Sequence, residues 1–195
     1  MILSPRLAFP TLEELLARYP QSRRRQRLEP IYRAMLEEAS ELANPQALWQ
    51  PFSLSEAAAL QEWFSEETVA AVLAVCTLGP ALDERVERLN QSDMAMAVIL
   101  EEIALKLVVS LTRAVHTHIR QEYLDQGLKA GPAYRPGVGR WPIEAQRTVF
   151  SLLPGAEIGV SLTEDLYMLP LQSSSLVIPI LDKTKGAPDQ PPTAE

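Results

Sequence analysis

The sequence predicts an α+β fold, with helices packed on a small mixed or antiparallel sheet. Three observations point there. A helical period of apolar residues persists from Met94 to Leu124, a Val-rich apolar run stands alone at Thr68–Thr77, and three short strand-like segments follow Ile158. At 195 residues the chain is long enough for one domain with a real core, and 47% hydrophobic content excludes low-complexity disorder for its bulk.

Residues 1–21 read as an N-terminal segment. Thr11 is a suitable N-cap, Glu13 and Glu14 complement the helix dipole, and Pro20 ends a short helix. Ser22 opens the next helix, whose Leu28, Ile31, Met35, Leu36, Ala39 and Leu42 fall on one face. Pro30 lies within that pattern, so the basic stretch before it is expected to be a first or a separate turn. Asn44-Pro45 stops the helix, and Ser53 or Ser55 opens a short helical piece through Leu60 and Trp63. Thr68–Thr77 is short and Val-rich, with charge on one side and Gly79-Pro80 on the other. A buried strand is the better reading. Pro80 then starts a helix with Leu82, Val86 and Leu89 inward.

Asp93 caps the longest element, which is apolar on nearly every side around Val98–Leu111 and should cross the middle of the domain. Gly127 and Gly131-Pro132 end it, and residues 130–142 are dense in Gly and Pro, a loop with a defined path. Helical periodicity resumes over Ile143–Leu153. Short strands are then expected at Ile158–Leu162, Tyr167–Leu169 and Ser175–Ile180. Residues 22–181 form one domain in this reading, and 182–195 a disordered tail.

Charge and motifs exclude several functions. A net charge of −7 gives no general attraction to nucleic acid or to an anionic membrane. The opening Met1–Arg6 lacks a signal-peptide pattern and no apolar run reaches a membrane span, so a soluble cytoplasmic protein is the default expectation. His116 and His118, the only histidines, would point about 200° apart on a helix and cannot share a metal; both read as solvated. Cys76 is alone in an apolar run and reads as a core thiol. Arg23, Arg24, Arg25 and Arg27 form a basic patch that could dock an anion or lie on a solvated helix face. Nucleotide-binding glycine motifs are absent: Gly137-Val138-Gly139 follows no strand.

The informative stretch is Tyr134-Arg135-Pro136-Gly137-Val138-Gly139-Arg140-Trp141-Pro142. Gly and Pro fix the backbone and leave its polar groups open to a small ligand. Tyr134 and Trp141 offer flat surfaces, and Arg135 and Arg140 can clamp a carboxylate. The other reading is a structural loop leading into the helix at Ile143.

Several motifs now stand in order: Thr77-Leu-Gly-Pro80, Ile99-Leu-Glu-Glu-Ile103, Pro136-Gly137 with Trp141-Pro142, Ile158-Gly-Val-Ser-Leu-Thr-Glu164, Met168-Leu-Pro170 and Ser173-Ser-Ser175. Their order and spacing resemble the activation domain of cobalamin-dependent methionine synthase, and most closely the stand-alone proteins similar to it, from about Arg25 to Ile180. The resemblance implies a domain that holds S-adenosylmethionine against the cobalamin of a partner, so that an oxidised, inactive cobalt is restored by an electron and a methyl group. It implies no directly bound metal. The implied ligand surface comprises Tyr134, Arg135, Pro136, Gly137, Val138, Gly139 and Trp141, with Thr163, Glu164, Ser173 and Ser175 on the same side. The implied partner is a corrinoid protein, or a methionine synthase lacking its own activation domain.

The chain departs from the family's pattern at three ligand-facing positions. Ala133 replaces an arginine, Val138 a tyrosine, and Val109 an acidic residue of the long helix. The alternative is therefore a non-catalytic relative, which keeps the fold and binds a protein or another small ligand without S-adenosylmethionine.

Overall fold

The computed structural model describes residues 1–19 and 22–182. The expectations at Pro20 and for the tail beyond Asp182 lie outside the described residues.

In chain order the elements are β1 (Ile2–Leu3), α1 (Leu12–Leu16), α2 (Arg23–Leu42), β2 (Gln46–Ser53), a 3-10 turn at Ala58–Trp63, β3 (Thr68–Thr77), α3 (Ala81–Ser92), α4 (Met94–Leu124), β4 (Lys129–Ala130), α5 (Ala145–Leu152), a 3-10 turn at Gly155–Ile158, β5 (Ser161–Leu162), β6 (Met168–Leu169) and β7 (Ser173–Leu181). Five strands form one sheet in the order β1-β2-β3-β7-β4, and β5 pairs with β6. Every pairing is antiparallel, so of the two expected sheet types the antiparallel one is observed.

The sheet is covered on both faces, which is why β3 reads as a continuous apolar run and not an alternating one. Val72, Ala74 and Cys76 of β3 join Leu176, Ile178 and Ile180 of β7 beneath α2, α3 and α4. The alternate residues Leu73, Val75 and Val177 face α5, Trp141 and the 3-10 turn at Ala58–Trp63. The central helix α4 runs 31 residues over the first face, with Leu100, Ile103, Leu107 and Leu111 fully buried. Its cap is the expected one: Asp93 accepts from the amides of Ala95 and Met96, each at 3.1 Å.

Thr11 and Glu14 form a full capping box at α1, and Ser22 caps α2. Pro30 does not divide α2: the basic stretch is the start of the same helix and not a separate turn. Pro30 lies on the solvent side, where water can take over the carbonyl that its missing N–H leaves bare. A strand, β2, fills the interval before Ser53 to which the sequence assigned no element. Its Pro51 and its irregular burial hide the period of two. The expected strand at Ile158–Leu162 shrinks to Ser161–Leu162, because a 3-10 turn and Gly159 at φ +71° occupy its first half.

The basic patch is partly structural, since Arg25 pairs with Glu13 at 2.7 Å and the Arg24 guanidinium lies over the Tyr19 ring. Tyr32 is buried between Arg18 and Glu102, donating to the carboxylate at 2.8 Å and accepting from the guanidinium at 2.9 Å.

Cys76 is fully buried, and burial pushes its thiol up to about 12. Burial likewise raises Tyr32 to about 12. Both groups are held protonated in the fold, so their contribution is complete below the unfolded values of 9 and 10 and is lost as pH climbs toward 12. Stability should therefore fall across that alkaline window, and Cys76→Ala should remove part of the fall in urea melts at successive pH values. At pH 8 the native thiol should resist a disulfide reagent until the chain unfolds; rapid labelling without unfolding would contradict the placement.

Candidate functional site

The loop from Tyr134 to Pro142 is fastened to the sheet at its start. Tyr134 exchanges two backbone hydrogen bonds with Val177, at 2.9 and 2.8 Å, which extends the sheet by one bridge. Just upstream, Gly131 donates to the Pro179 carbonyl at 2.8 Å, and a Cβ at Gly131 would lie 2.9 Å from the Pro179 ring. His116 of α4 bonds through Nε2 to the Gly131 carbonyl at 2.8 Å. His118 meets Trp49 edge-on at 5.8 Å. His116 thus serves the loop's footing, which corrects the expectation that it is merely solvated, while His118 is exposed as expected.

Beyond Pro136, which is buried, the chain closes a tight turn. The Gly137 amide donates to the Trp141 carbonyl at 3.0 Å, the Val138 amide to Arg135 at 3.1 Å, and the Trp141 amide to Val138 at 3.3 Å. Gly137 is required here by its φ of +83°; a Cβ would also crowd Ile143 Cδ1 at 2.8 Å, the mobile end of a partly exposed side chain. Three amides that the sequence left open to a ligand are therefore used inside the loop. Val138 and Gly139 form its exposed tip.

The flat surfaces are used inside as well. Trp141 is 3% exposed and stacks on Tyr134 with centroids 5.1 Å apart and planes at 23°, while Trp63 and Phe64 close in at 5.9 and 6.0 Å. Arg140 lies 5.9 Å over the Tyr134 ring and reaches the Trp63 carbonyl. Arg135 is half-buried and forms no ion pair among the described residues. Two buried polar atoms of this region find no protein partner among the described residues, the Trp141 Nε1 donor and the Gln146 Oε1 acceptor.

The β5–β6 hairpin is tied to the same side through α5. Gln146 donates to the Leu166 carbonyl and Arg147 to the Glu164 carbonyl, each at 3.2 Å. Thr163 shapes the hairpin turn, its hydroxyl accepting from the Tyr167 amide at 3.0 Å; the Glu164 side chain is exposed. On β7, Ser173 and Ser175 share the face of Val177 by strand alternation. Ser173 donates to the Thr77 hydroxyl at 2.9 Å, and that oxygen also accepts from the Gly79 amide. Ser175 is buried. The loop, the hairpin and the serines thus lie on one side of the sheet.

The three departing positions are not gathered in one place. Val138 is at the loop tip, and Ala133 packs toward the helix-side core. Val109 lines a cavity of about 720 Å³ between α4 and residues 6–14, which includes none of the loop residues. A second cavity of about 660 Å³ lies between α3 and the β5–β6 hairpin, against Asp83, Glu84, Glu87 and Glu101. Burial raises the Asp83 carboxyl, and bonds from the Leu171 and Gln172 amides offset part of that shift.

Sequence reasoning missed Trp63 and Phe64 as partners of Trp141, and it missed both cavities. Their walls come from segments far apart in the chain, and no local pattern marks them. No group of His, Cys, Asp and Glu suited to a metal ion occurs among the described residues. No helix there is long and apolar enough to cross a membrane.

No protein-family model and no curated protein matches the sequence. Among solved structures the chain is similar to a crystal structure of the MetH reactivation domain bound to AdoHcy. The TM-score is 0.63 at 16% identity, covering 90% of this chain and 78% of that one. The chain therefore has the reactivation-domain fold, in agreement with the resemblance drawn from its motifs.

Proposed function

We propose that this chain is a counterpart of the reactivation domain, supporting S-adenosylmethionine-dependent reductive methylation of a corrinoid protein in trans. The observation that carries this reading is the shared fold across nine-tenths of the chain with a domain solved in complex with AdoHcy. The residues fit such a ligand in kind: Arg135, half-buried and without an ion-pair partner among the described residues, has a guanidinium for a carboxylate. S-adenosylmethionine would supply the methyl group, and cobalamin would come with the partner. The chain's part is to hold the ligand at the loop surface and to cover the corrinoid face, a positioning role without a protein nucleophile or metal.

The partner that fits is a corrinoid protein or a methionine synthase lacking its own activation domain. The assay mixes such a synthase, its cobalamin oxidised, with this chain, an electron-donating flavoprotein and S-adenosylmethionine, and follows the corrinoid spectrum. Appearance of the methylated corrinoid only when this chain is present is the expected result. An unchanged spectrum with several such synthases, under conditions where a complete synthase recovers, would contradict the trans role.

A second reading is favoured by the loop's own bonding. The Gly137, Val138 and Trp141 amides are satisfied internally, and Val138 at the exposed tip brings no charge to the ligand. In that reading the fold persists as a binding module without S-adenosylmethionine, fold and function being separable.

A further inference from the structure

The cavity between α4 and the N-terminal residues has a character at odds with the rest of the molecule. The chain carries a net charge of −7, yet the cavity is walled by Arg6, Lys106 and Arg113. Its single carboxylate, Glu14, is already engaged: the Thr11 amide and hydroxyl both donate to it, at 2.7 and 3.0 Å. Those bonds hold the Glu14 carboxyl below its usual value. Arg6 and Arg113 form no ion pair among the described residues. Between the cations the lining is apolar, with Phe9, Leu105 and Val109.

The cavity is a groove open to solvent, and its N-terminal wall is held in place. The Ala8 amide donates to Ser110 Oγ at 3.0 Å, pinning the N-terminal segment across α4. On either side of that bond Leu3, Leu7 and Leu12 pack into the helix-side core, and the N-terminal ammonium donates to the Trp49 carbonyl at 2.9 Å. The volume of about 720 Å³ lies within the range of small-molecule sites.

We infer that this cavity binds a small organic anion, a carboxylate, sulfonate or phosphate ester carried on an apolar frame. The frame lies against Phe9, Leu105 and Val109, and the anionic end meets Arg113 and Lys106, with Arg6 closing from the N-terminal side. An isolated apolar groove would accept neutral and cationic molecules equally well; three cations around it select against them. The site shares no lining residue with the Tyr134–Trp141 loop and does not depend on the function proposed above.

The test uses two fluorescent probes with nearly the same apolar frame, anionic 8-anilinonaphthalene-1-sulfonate and neutral N-phenyl-1-naphthylamine, titrated into the full chain. The anionic probe should bind at least about tenfold more tightly, and added salt should narrow the gap. A Lys106→Ala, Arg113→Ala double variant should lose about tenfold or more for the anionic probe only, and Val109→Asp should act in the same direction. Phe9→Ala should weaken both probes. The changed cations are exposed, so the double variant should keep its melting temperature. Equal affinity for the two probes, or an anionic affinity that the double variant leaves unchanged, overturns the inference.

Discussion

Trp141→Ala should cost about 3–5 kcal/mol of stability, the penalty of emptying a site filled by a large buried aromatic ring. The indole is almost fully enclosed, stacked on Tyr134 and flanked by Trp63 and Phe64. Those rings come from the loop and from the end of the 3-10 turn before β3, so the loss should loosen the whole second face of the sheet. Trp141→Phe should cost much less. It keeps a ring in the stack and removes an Nε1 donor that has no protein acceptor among the described residues. Chemical denaturation of the two variants beside the parent is the measurement. A loss under about 1 kcal/mol for Trp141→Ala would mean that the ring is not a core element.

Leu107→Ala probes the other face and should cost about 2–5 kcal/mol. Leu107 is fully buried midway along α4, within the seam of Leu100, Ile103 and Leu111 that lies over the sheet. For a chain of this size, the melting temperature should drop by roughly 10 °C. Leu105→Ala, two residues away but 62% exposed, is the control and should stay within about 0.5 kcal/mol. Similar losses for the two would place the buried seam of α4 elsewhere.

What could be read from the chain alone follows the range of the interactions involved. The α4 helix, β3 and the caps at Thr11, Ser22 and Asp93 are visible because period and capping are local properties. Strand β2 was invisible because Pro51 and a broken alternation mask it, while β1 and β4, at two residues each, carry no period at all. The loop was legible as a place of defined backbone but not in its inner arrangement. Tyr134 and Trp141 look like surfaces for a ligand until Trp63 and Phe64, some seventy residues upstream, are folded against them. Similarly, Arg140 offers a charge in the sequence and spends it on Tyr134 and the Trp63 carbonyl, which leaves Arg135 as the loop's unpaired guanidinium. The three departures at Ala133, Val138 and Val109 look like one damaged site in the sequence, yet they fall in three settings in the fold.

The central claim is that the loop holds S-adenosylmethionine, and Trp141 variants test it poorly because they disturb the core. Arg135 is the better handle. Calorimetric titration of the chain with S-adenosylmethionine, and with AdoHcy beside it, should give micromolar binding. Arg135→Ala should weaken it by about 1.5–3 kcal/mol, ten- to a hundredfold, with an unchanged melting temperature. No heat up to millimolar ligand, or equal affinity in the Arg135→Ala variant, would contradict the account.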